Sequence, residues 1–495
     1  MRTCVIDTGT TSIRTVVYED QKQLDFQSEP LTRFYPQPGF VELDPQEITF
    51  KVKKLLDLSI DKWDVDAIAI TNQRTTSILW DAKTSKNLFP ALTWQDVRAR
   101  PVADSLNRLW LIRFGKIIGK LAIGVYKTLP SLRNSRRIRY MVTISKLSFK
   151  PNHASVHLMW MLQNLRNREK YDLKFGTIDT WILWNLCGEY ATDYTNASAT
   201  GIYDIFFKKW SENILKIIGF PPESLAEVKN SDSIFGEYKG IPIASIIADQ
   251  QASLFAQDCF EFGDIKCTNG TGSFIDVNVG DAPTASLGGL IPMMAWKTGS
   301  DEKYMLEGYV SFSGSAMDWI REIGLLNRVE ESSKLAFSSV DEKLLFVPSF
   351  AGLGTPHYIE VPGTLWGISN KTRKEDIVKS LLEALSFRIA EIIGIIRREL
   401  KITSESIRMD GKFSSNDFLL QRVADVTGLN VERSRFLEGS SFGAHLMAGV
   451  AMKEWEMGDL VFTPEKIFEP SKDLKEKFEK WSKLVDEVKR IGWPD

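Results

Sequence analysis

The sequence predicts an α/β protein built from two related lobes that meet across a central cleft. Three observations carry that expectation. Short apolar, strand-like runs alternate with amphipathic helical ones, the pattern of mixed α/β domains. The 495 residues are too many for one core, and suggest about two to four domains at roughly 100 to 200 residues each. One polar loop pattern also occurs twice, as Asp7-Thr8-Gly9-Thr10-Thr11-Ser12 and as Thr268-Asn269-Gly270-Thr271-Gly272-Ser273.

The first copy lies between Thr3-Cys4-Val5-Ile6 and Ile13-Arg14-Thr15-Val16-Val17-Tyr18, so it reads as a tight turn joining two strands. Glycine lets backbone N–H groups come close to a phosphate, and Thr and Ser hydroxyls add donors. The Asp7 carboxylate then faces phosphate, which is tolerable chiefly when a cation such as Mg²⁺ lies between them. A single loop of this kind is most often an ordinary hairpin turn. Two copies in separate lobes point instead to a nucleotide-phosphate clamp and to phosphoryl transfer.

Along the chain, Asp44-Pro45 reads as an N-cap with proline at the first helical position, followed by a stripe of Ile48, Val52, Leu55 and Leu56. Ala67-Ile68-Ala69-Ile70 reads as a strand that delivers Thr71-Asn72-Gln73-Arg74 at its C-terminal end, where α/β sheets present ligand contacts. Ile241 to Ala248 reads as a buried strand, with Asp249-Gln250-Gln251 opening a helix. An acid at that junction can cap the helix, and the helix dipole favours the ionised form that a general base needs. In the second half, Thr372-Arg373-Lys374-Glu375 reads as a capping box before a helix with Ile377, Leu381, Leu385, Ile392 and Ile396 on one side. The lobes are expected to divide near residue 258, as 1–258 and 259–495, and the segment from about Pro464 reads as a charged, solvated helix.

Composition excludes several classes. With 62 Lys and Arg against 64 Asp and Glu, a general nucleic-acid binder is not expected. The four cysteines, Cys4, Cys187, Cys259 and Cys267, show neither zinc spacing nor a disulfide framework, so a reducing cytoplasm is the expected setting. His153 and His157 are spaced i, i+4 without a third ligand and read as a helical-surface pair. With Met1-Arg2 leading directly into strand-like sequence and no stretch of 18 uncharged apolar residues, neither secretion nor membrane spanning is expected.

Taken together, these motifs resemble the FGGY carbohydrate kinases, and among them the glycerol-phosphorylating members. The likeness runs through Asp7 to Arg14, Pro38 to Pro45, Thr71 to Arg74, Trp94-Gln95, Gly176 to Trp181, Thr192 to Ser198, Ala248 to Gln251, Gly270-Thr271-Gly272, Gly352 to Pro356 and Asp410-Gly411. The resemblance implies two ribonuclease-H-like lobes of the actin and hexokinase type, closing on ATP, Mg²⁺ and a small-molecule polyol. By position it implies Asp249 as general base and Asp7 as a holder of Mg²⁺. It places Thr10, Thr11, Ser12 and Arg14 on the phosphates, and Thr271, Gly314, Gly411 and Asn416 on the nucleotide. Arg74, Thr75, Trp94, Asp249 and Gln250 would line the acceptor pocket. The implied reaction is ATP-dependent phosphorylation of glycerol to sn-glycerol 3-phosphate. Kinases for another polyol or sugar, and a catalytically impaired nucleotide-binding regulatory protein, are the alternatives; a homo-oligomer is compatible with any of these.

The chain departs from that pattern in places. Thr75 stands where glycerol-phosphorylating members carry Glu, and Asn152 aligns with a family Tyr; losing a bond to a substrate hydroxyl costs about 1 to 3 kcal/mol. Gly411 is followed by Lys412 rather than a second glycine, and Asp318 replaces an adenine-side Gln. From Ser105 to Arg168 there is no Asp or Glu, while Arg108 to Lys150 holds eleven Lys and Arg residues. This segment is either an insertion or a stretch translated in a shifted frame between about residues 106 and 146, and the shifted frame is the favoured expectation.

Overall fold

The computed structural model describes residues 1–350 and 352–493. The first lobe is organised by five strands, β1 (Arg2–Thr8), β2 (Ser12–Glu19), β3 (Lys22–Pro30), β4 (Ala67–Asn72) and β5 (Ile241–Ala248), in the order β3-β2-β1-β4-β5. β1, β2 and β3 form an antiparallel meander, whereas β4 and β5 run parallel to β1. The second lobe repeats the plan with β6 (Ile265–Asn269), β7 (Ser273–Asn278), β8 (Glu302–Val310), β9 (Ser406–Asp410) and β10 (Asn430–Ser434), in the order β8-β7-β6-β9-β10. Its hairpins are again antiparallel and its later strands parallel. The two polar loops therefore occupy the same turn, between the first and second strands of their sheets.

Both faces of the first sheet are covered, which is why its central strands read as continuous apolar runs. Successive side chains of β1 point to opposite faces: Cys4 and Ile6 join Ile48, Val52 and Leu56, and Val5 joins a second core. The first group lies on helix α1 (Pro45–Lys62), capped by Asp44 through a 2.9 Å bond from Gln46 N–H, as the sequence predicts. Two further helices, α2 (Trp110–Thr128) and α3 (Arg136–Lys146), form a hairpin between the lobes' edges. Gly119 lies so close to α3 that a Cβ there would come within 2.5 Å of the Met141 carbonyl.

Helix α4 (Asp249–Ala256) leaves β5, and α5 (Lys374–Leu400) lies along the second sheet, burying Leu381, Leu385, Ile392 and Ile396 with Ile275 and Leu306. Each such side chain contributes about 1.5 to 3 kcal/mol when fully buried. The cap of α5 falls one residue later than Thr372: Arg373 N–H donates to Asp376 at 2.8 Å, and the Thr372 hydroxyl accepts the Ser369 N–H instead. Helix α6 (Gly439–Ala451) packs against α4 and against the back of the first sheet, where Ala252, Phe442 and Met447 share the core that contains Val5. A Cβ on Gly443 would stand 1.8 Å from the Ala252 carbonyl, so only glycine permits this crossing.

Two sequence expectations are corrected here. The segment from Pro464 begins as a strand, Pro464–Phe468, paired with β10, and its helix Lys475–Ile491 buries Trp481, Val485 and Val488 rather than lying free in solvent. His157 is not a surface residue. It is fully buried in the helix Ala154–Asn164 against Ser77 and the Asp96 carbonyl, and burial holds its pKa down at about 4. The i, i+4 spacing places two residues on one face without saying which face is covered.

Candidate active site at the lobe junction

The first loop closes on itself through Gly9 N–H, which donates to the Ser12 carbonyl at 3.0 Å. Asp7 and Arg14 face each other across the β1–β2 register, with Arg14 Nη1 at 3.6 Å from Asp7 and in a tighter bond to Glu438 at the start of α6. Arg14 Nε also donates to Ser12 Oγ at 3.2 Å. The loop is thus braced from the second lobe by Glu438, a residue the sequence reading did not single out. Trp94 Nε1 donates to Thr10 Oγ1 at 3.1 Å, and Asn152 Nδ2 donates to the Trp94 carbonyl at 2.8 Å. Thr10, Thr11, Ser12, Arg14, Trp94 and Asn152 therefore form one continuous wall.

The second loop is closed in the same way, with Gly270 N–H donating to the Gly272 carbonyl at 2.9 Å. Gly314 N–H reaches the Gly270 carbonyl at 3.0 Å, and Ser313 N–H reaches that of Thr271 at 2.9 Å. A Cβ on Gly314 would lie 2.5 Å from the Gly270 carbonyl. Gly411 has φ +86° and its Cβ would lie 2.3 Å from the Asn269 carbonyl. We expect Gly411→Ala to lower stability by roughly 1 to 3 kcal/mol through the positive φ and the clash, read by urea unfolding. Asn416 differs from its companions. Its amide is spent within the lobe, accepting from Leu419 N–H at 3.0 Å as a helix cap and donating to Ser332 at 2.9 Å.

Between the loops sits a buried network of charge. Asp249 is the first residue of α4 rather than its cap; Ala248 occupies the cap position, and Asp249 Oδ1 accepts the Gln250 N–H at 2.8 Å. Arg74, just beyond β4, brings Nε to 3.5 Å from Asp249 and Nη2 to 2.6 Å from Glu307 on β8. Its guanidinium also lies over the Phe274 ring. Thr75 has φ +63°, a left-handed turn that swings the chain away after Arg74. Lys266 on β6 is wholly buried, pairs with Asp276 at 2.7 Å, and donates to Gln250 Oε1 at 2.7 Å. Asp410 accepts from Thr268 at 2.5 Å and from Ser253 on α4 at 2.7 Å. Sequence reasoning missed Lys266, Asp276 and Glu307, although an ionisable residue inside an apolar strand was the available sign.

Burial raises the pKa of Asp249, against the pull of Arg74. Burial likewise pushes Asp7 up to about 7, with Arg14 lowering it and Glu438 and Asp249 raising it further. Carboxylates crowded at a phosphate-type loop suit a divalent cation, since Mg²⁺ takes one or two protein carboxylates and fills its shell with water and phosphate oxygen. Among the described residues no group of three His, Cys, Asp or Glu side chains gathers to hold a metal alone.

The raised pKa of Asp7 has a thermodynamic sign. The folded chain binds more protons than the unfolded one between about pH 4 and about pH 7, so this acid's contribution to stability falls as pH rises through that window. Buried His153, His157 and His445, each held down at about 4, act in the opposite direction. The difference between variants isolates Asp7. We expect the melting temperature of Asp7→Asn relative to the parent to increase steadily from about pH 5 to about pH 8, followed by thermal unfolding without ligands.

Two lobes of one topology, each offering a glycine-hydroxyl loop at their junction, define the two-domain actin and hexokinase type of fold. Within it, the chain belongs to the FGGY family of carbohydrate kinases: residues 3–134 and 123–256 match the family's N-terminal domain and residues 265–452 its C-terminal domain. The two N-terminal matches overlap over residues 123–134, from the last turns of α2 into the connection to α3, where the family pattern is interrupted. The chain is 51% identical over 488 residues to an uncharacterized sugar kinase of Archaeoglobus fulgidus, covering 98% of this chain and 99% of that one. It is 35% identical over 507 residues to the glycerol kinase of Halorhodospira halophila, covering 97% and 95%. The crystal structure of Plasmodium falciparum glycerol kinase with ADP superposes with a TM-score of 0.85 at 27% identity, covering 99% of this chain and 98% of that chain. Among the described residues no helix is long and apolar enough to cross a membrane.

Proposed function

We propose that this carbohydrate kinase is an ATP-dependent, Mg²⁺-requiring glycerol kinase producing sn-glycerol 3-phosphate, with Asp249 as its general base. The observation that carries the reading is the pair Asp249 and Arg74, 3.5 Å apart at the junction of the two loop-bearing lobes. The nucleotide supplies the transferable terminal phosphoryl group, and Mg²⁺ offsets its charge. Arg74 and Trp94 orient the acceptor, and the Asp249 carboxylate takes the proton from the attacking hydroxyl. Gln250, fixed by Lys266, shapes the floor beside it. Thr10, Thr11, Ser12 and Arg14 meet the phosphates from the first lobe, Thr271, Gly314 and Gly411 receive the nucleotide from the second, and Asp7 holds the cation. Asn416 acts from one layer back, by fixing the helix that follows Gly411. Such a division suits phosphoryl transfer, which depends on alignment and charge stabilisation more than on covalent chemistry. The reading takes 1–258 and 259–495 as the two lobes, with α6 reaching across the division, and a cytoplasmic setting.

Asn152 favours a second reading within the same class. Its amide is spent on the Trp94 carbonyl, and Thr75 offers one hydroxyl where a carboxylate would grip two. A different polyol or a sugar is then the acceptor. Coupled ADP release across glycerol, dihydroxyacetone, other polyols and pentoses separates the two. Glycerol giving the highest kcat/KM supports the first, a pentose or larger polyol the second, and nucleotide binding without transfer to any alcohol rejects both.

A further inference from the structure

The α2–α3 hairpin carries a surface that phosphoryl transfer does not use. On α2 the side chains of Trp110, Phe114, Ile117 and Leu121 recur at i, i+4, i+7 and i+11, which lines them along one helix face. They are 69%, 54%, 57% and 71% exposed. The opposite face of the helix is spent on the protein, where Ala122 packs with Val142 of α3 and Ala285 of the second lobe. Arg113, Lys120 and Lys127 recur every seven residues and border the apolar stripe, as their spacing on a helix requires.

The charge bordering the stripe is uncompensated, whereas on α3 Arg136 acts on Asp204 and Arg139 donates to the Pro283 carbonyl. Arg108 to Lys150 holds eleven Lys and Arg residues, and no Asp or Glu occurs from Ser105 to Arg168. Among the described residues none of these eleven cations forms a salt bridge. A solvated face would alternate signs and would not expose a row of large apolar side chains. A protein interface would bury such a row but would not require a surround of one charge. An apolar ridge bordered by cations matches a bilayer with anionic headgroups, because the ridge enters the acyl boundary while Lys and Arg remain among the phosphates.

We propose that the α2–α3 hairpin docks this enzyme onto an anionic lipid bilayer, with Trp110, Phe114, Ile117 and Leu121 inserted at the headgroup level and the neighbouring Lys and Arg side chains on lipid phosphates. The helix lies in the interface and does not span. The proposal is independent of which acceptor the kinase uses.

Vesicle co-sedimentation of the full chain tests it. Binding is expected to vesicles of phosphatidylcholine containing about 30% phosphatidylglycerol, to be at least about tenfold weaker to phosphatidylcholine alone, and to weaken toward about 1 M NaCl. Phe114→Gln with Leu121→Gln, and separately Arg113→Gln with Lys120→Gln and Lys127→Gln, are each expected to weaken it at least about tenfold. Turnover without vesicles should be unchanged in both, which shows that they fold. The proposal is overturned if the parent prefers neither vesicle or if the two variants bind anionic vesicles as tightly as the parent. Concentration-dependent self-association abolished by the Phe114 and Leu121 changes, without vesicle binding, would make the ridge a contact between copies and equally overturn it.

Discussion

Asp249→Asn is expected to lower turnover by roughly 10²- to 10⁴-fold, the range set by removing a positioned general base, while nucleotide affinity stays within a few-fold of the parent. The carboxylate sits at the end of β5 and opens α4, so the positive end of the helix and Arg74 favour its charge while burial opposes it. Its Oδ1 is committed to Gln250 N–H. Among the described residues no donor comes nearer Oδ2 than the Gln250 amide at 3.5 Å, which leaves that oxygen to accept a proton. Asn keeps the shape and the bond from Gln250 N–H but cannot take the proton. Steady-state ADP release and calorimetric titration with ATP, side by side, read the two expectations. Turnover equal to the parent's would remove Asp249 from the chemistry. Equal loss of turnover and nucleotide binding would make it a structural support for the junction.

Much of this site is legible in the chain itself, and the reason is local chemistry. A turn that needs glycine, a hydroxyl-rich loop between apolar strands and an acid at a strand-to-helix junction are all written within a few residues. Asp7, Thr10 to Arg14, Arg74, Asp249 and Gly270 to Gly272 are of that kind, as are the cap at Asp44 and the stripe on α1. The residues that were not legible are joined by long-range contact. Glu438 meets Arg14 across 424 residues and Glu307 meets Arg74 across 233, and no spacing rule reaches so far. Asn416 illustrates a further limit, since a motif position fixes where a residue lies but not which neighbour takes its amide. The α2–α3 hairpin shows the same limit at the level of an element. Its basic run breaks from the family's pattern, and residue types alone do not distinguish an insertion from a shifted frame.

Glu307 supports the second large expectation. It lies buried on β8 of the second lobe, and its bond to Arg74 holds that arginine from across the junction. Burial raises its pKa despite Arg74, and Asp276 adds to the rise. Glu307→Ala strands a buried guanidinium, and breaking such a pair costs about 3 to 5 kcal/mol of stability. Glu307→Gln keeps the shape and one acceptor, so its cost should be nearer about 1 to 3 kcal/mol. The kinetic consequence separates positioning from mere support. With the charge at position 307 removed, Arg74 is drawn more strongly toward the Asp249 carboxylate, which lies 3.5 Å from it in the parent. A closer cation favours the ionised base, so the acidic limb of the kcat profile for Glu307→Gln should move to lower pH. On the role proposed for Arg74 in orienting the acceptor, KM for the acceptor should rise by roughly tenfold or more, since even small misplacement of a reacting group is costly. Measuring acceptor KM, the pH dependence of kcat and urea unfolding on the same variant tests all three. A variant that loses stability but keeps the parent's KM and acidic limb would show that Glu307 merely neutralises Arg74 and does not aim it.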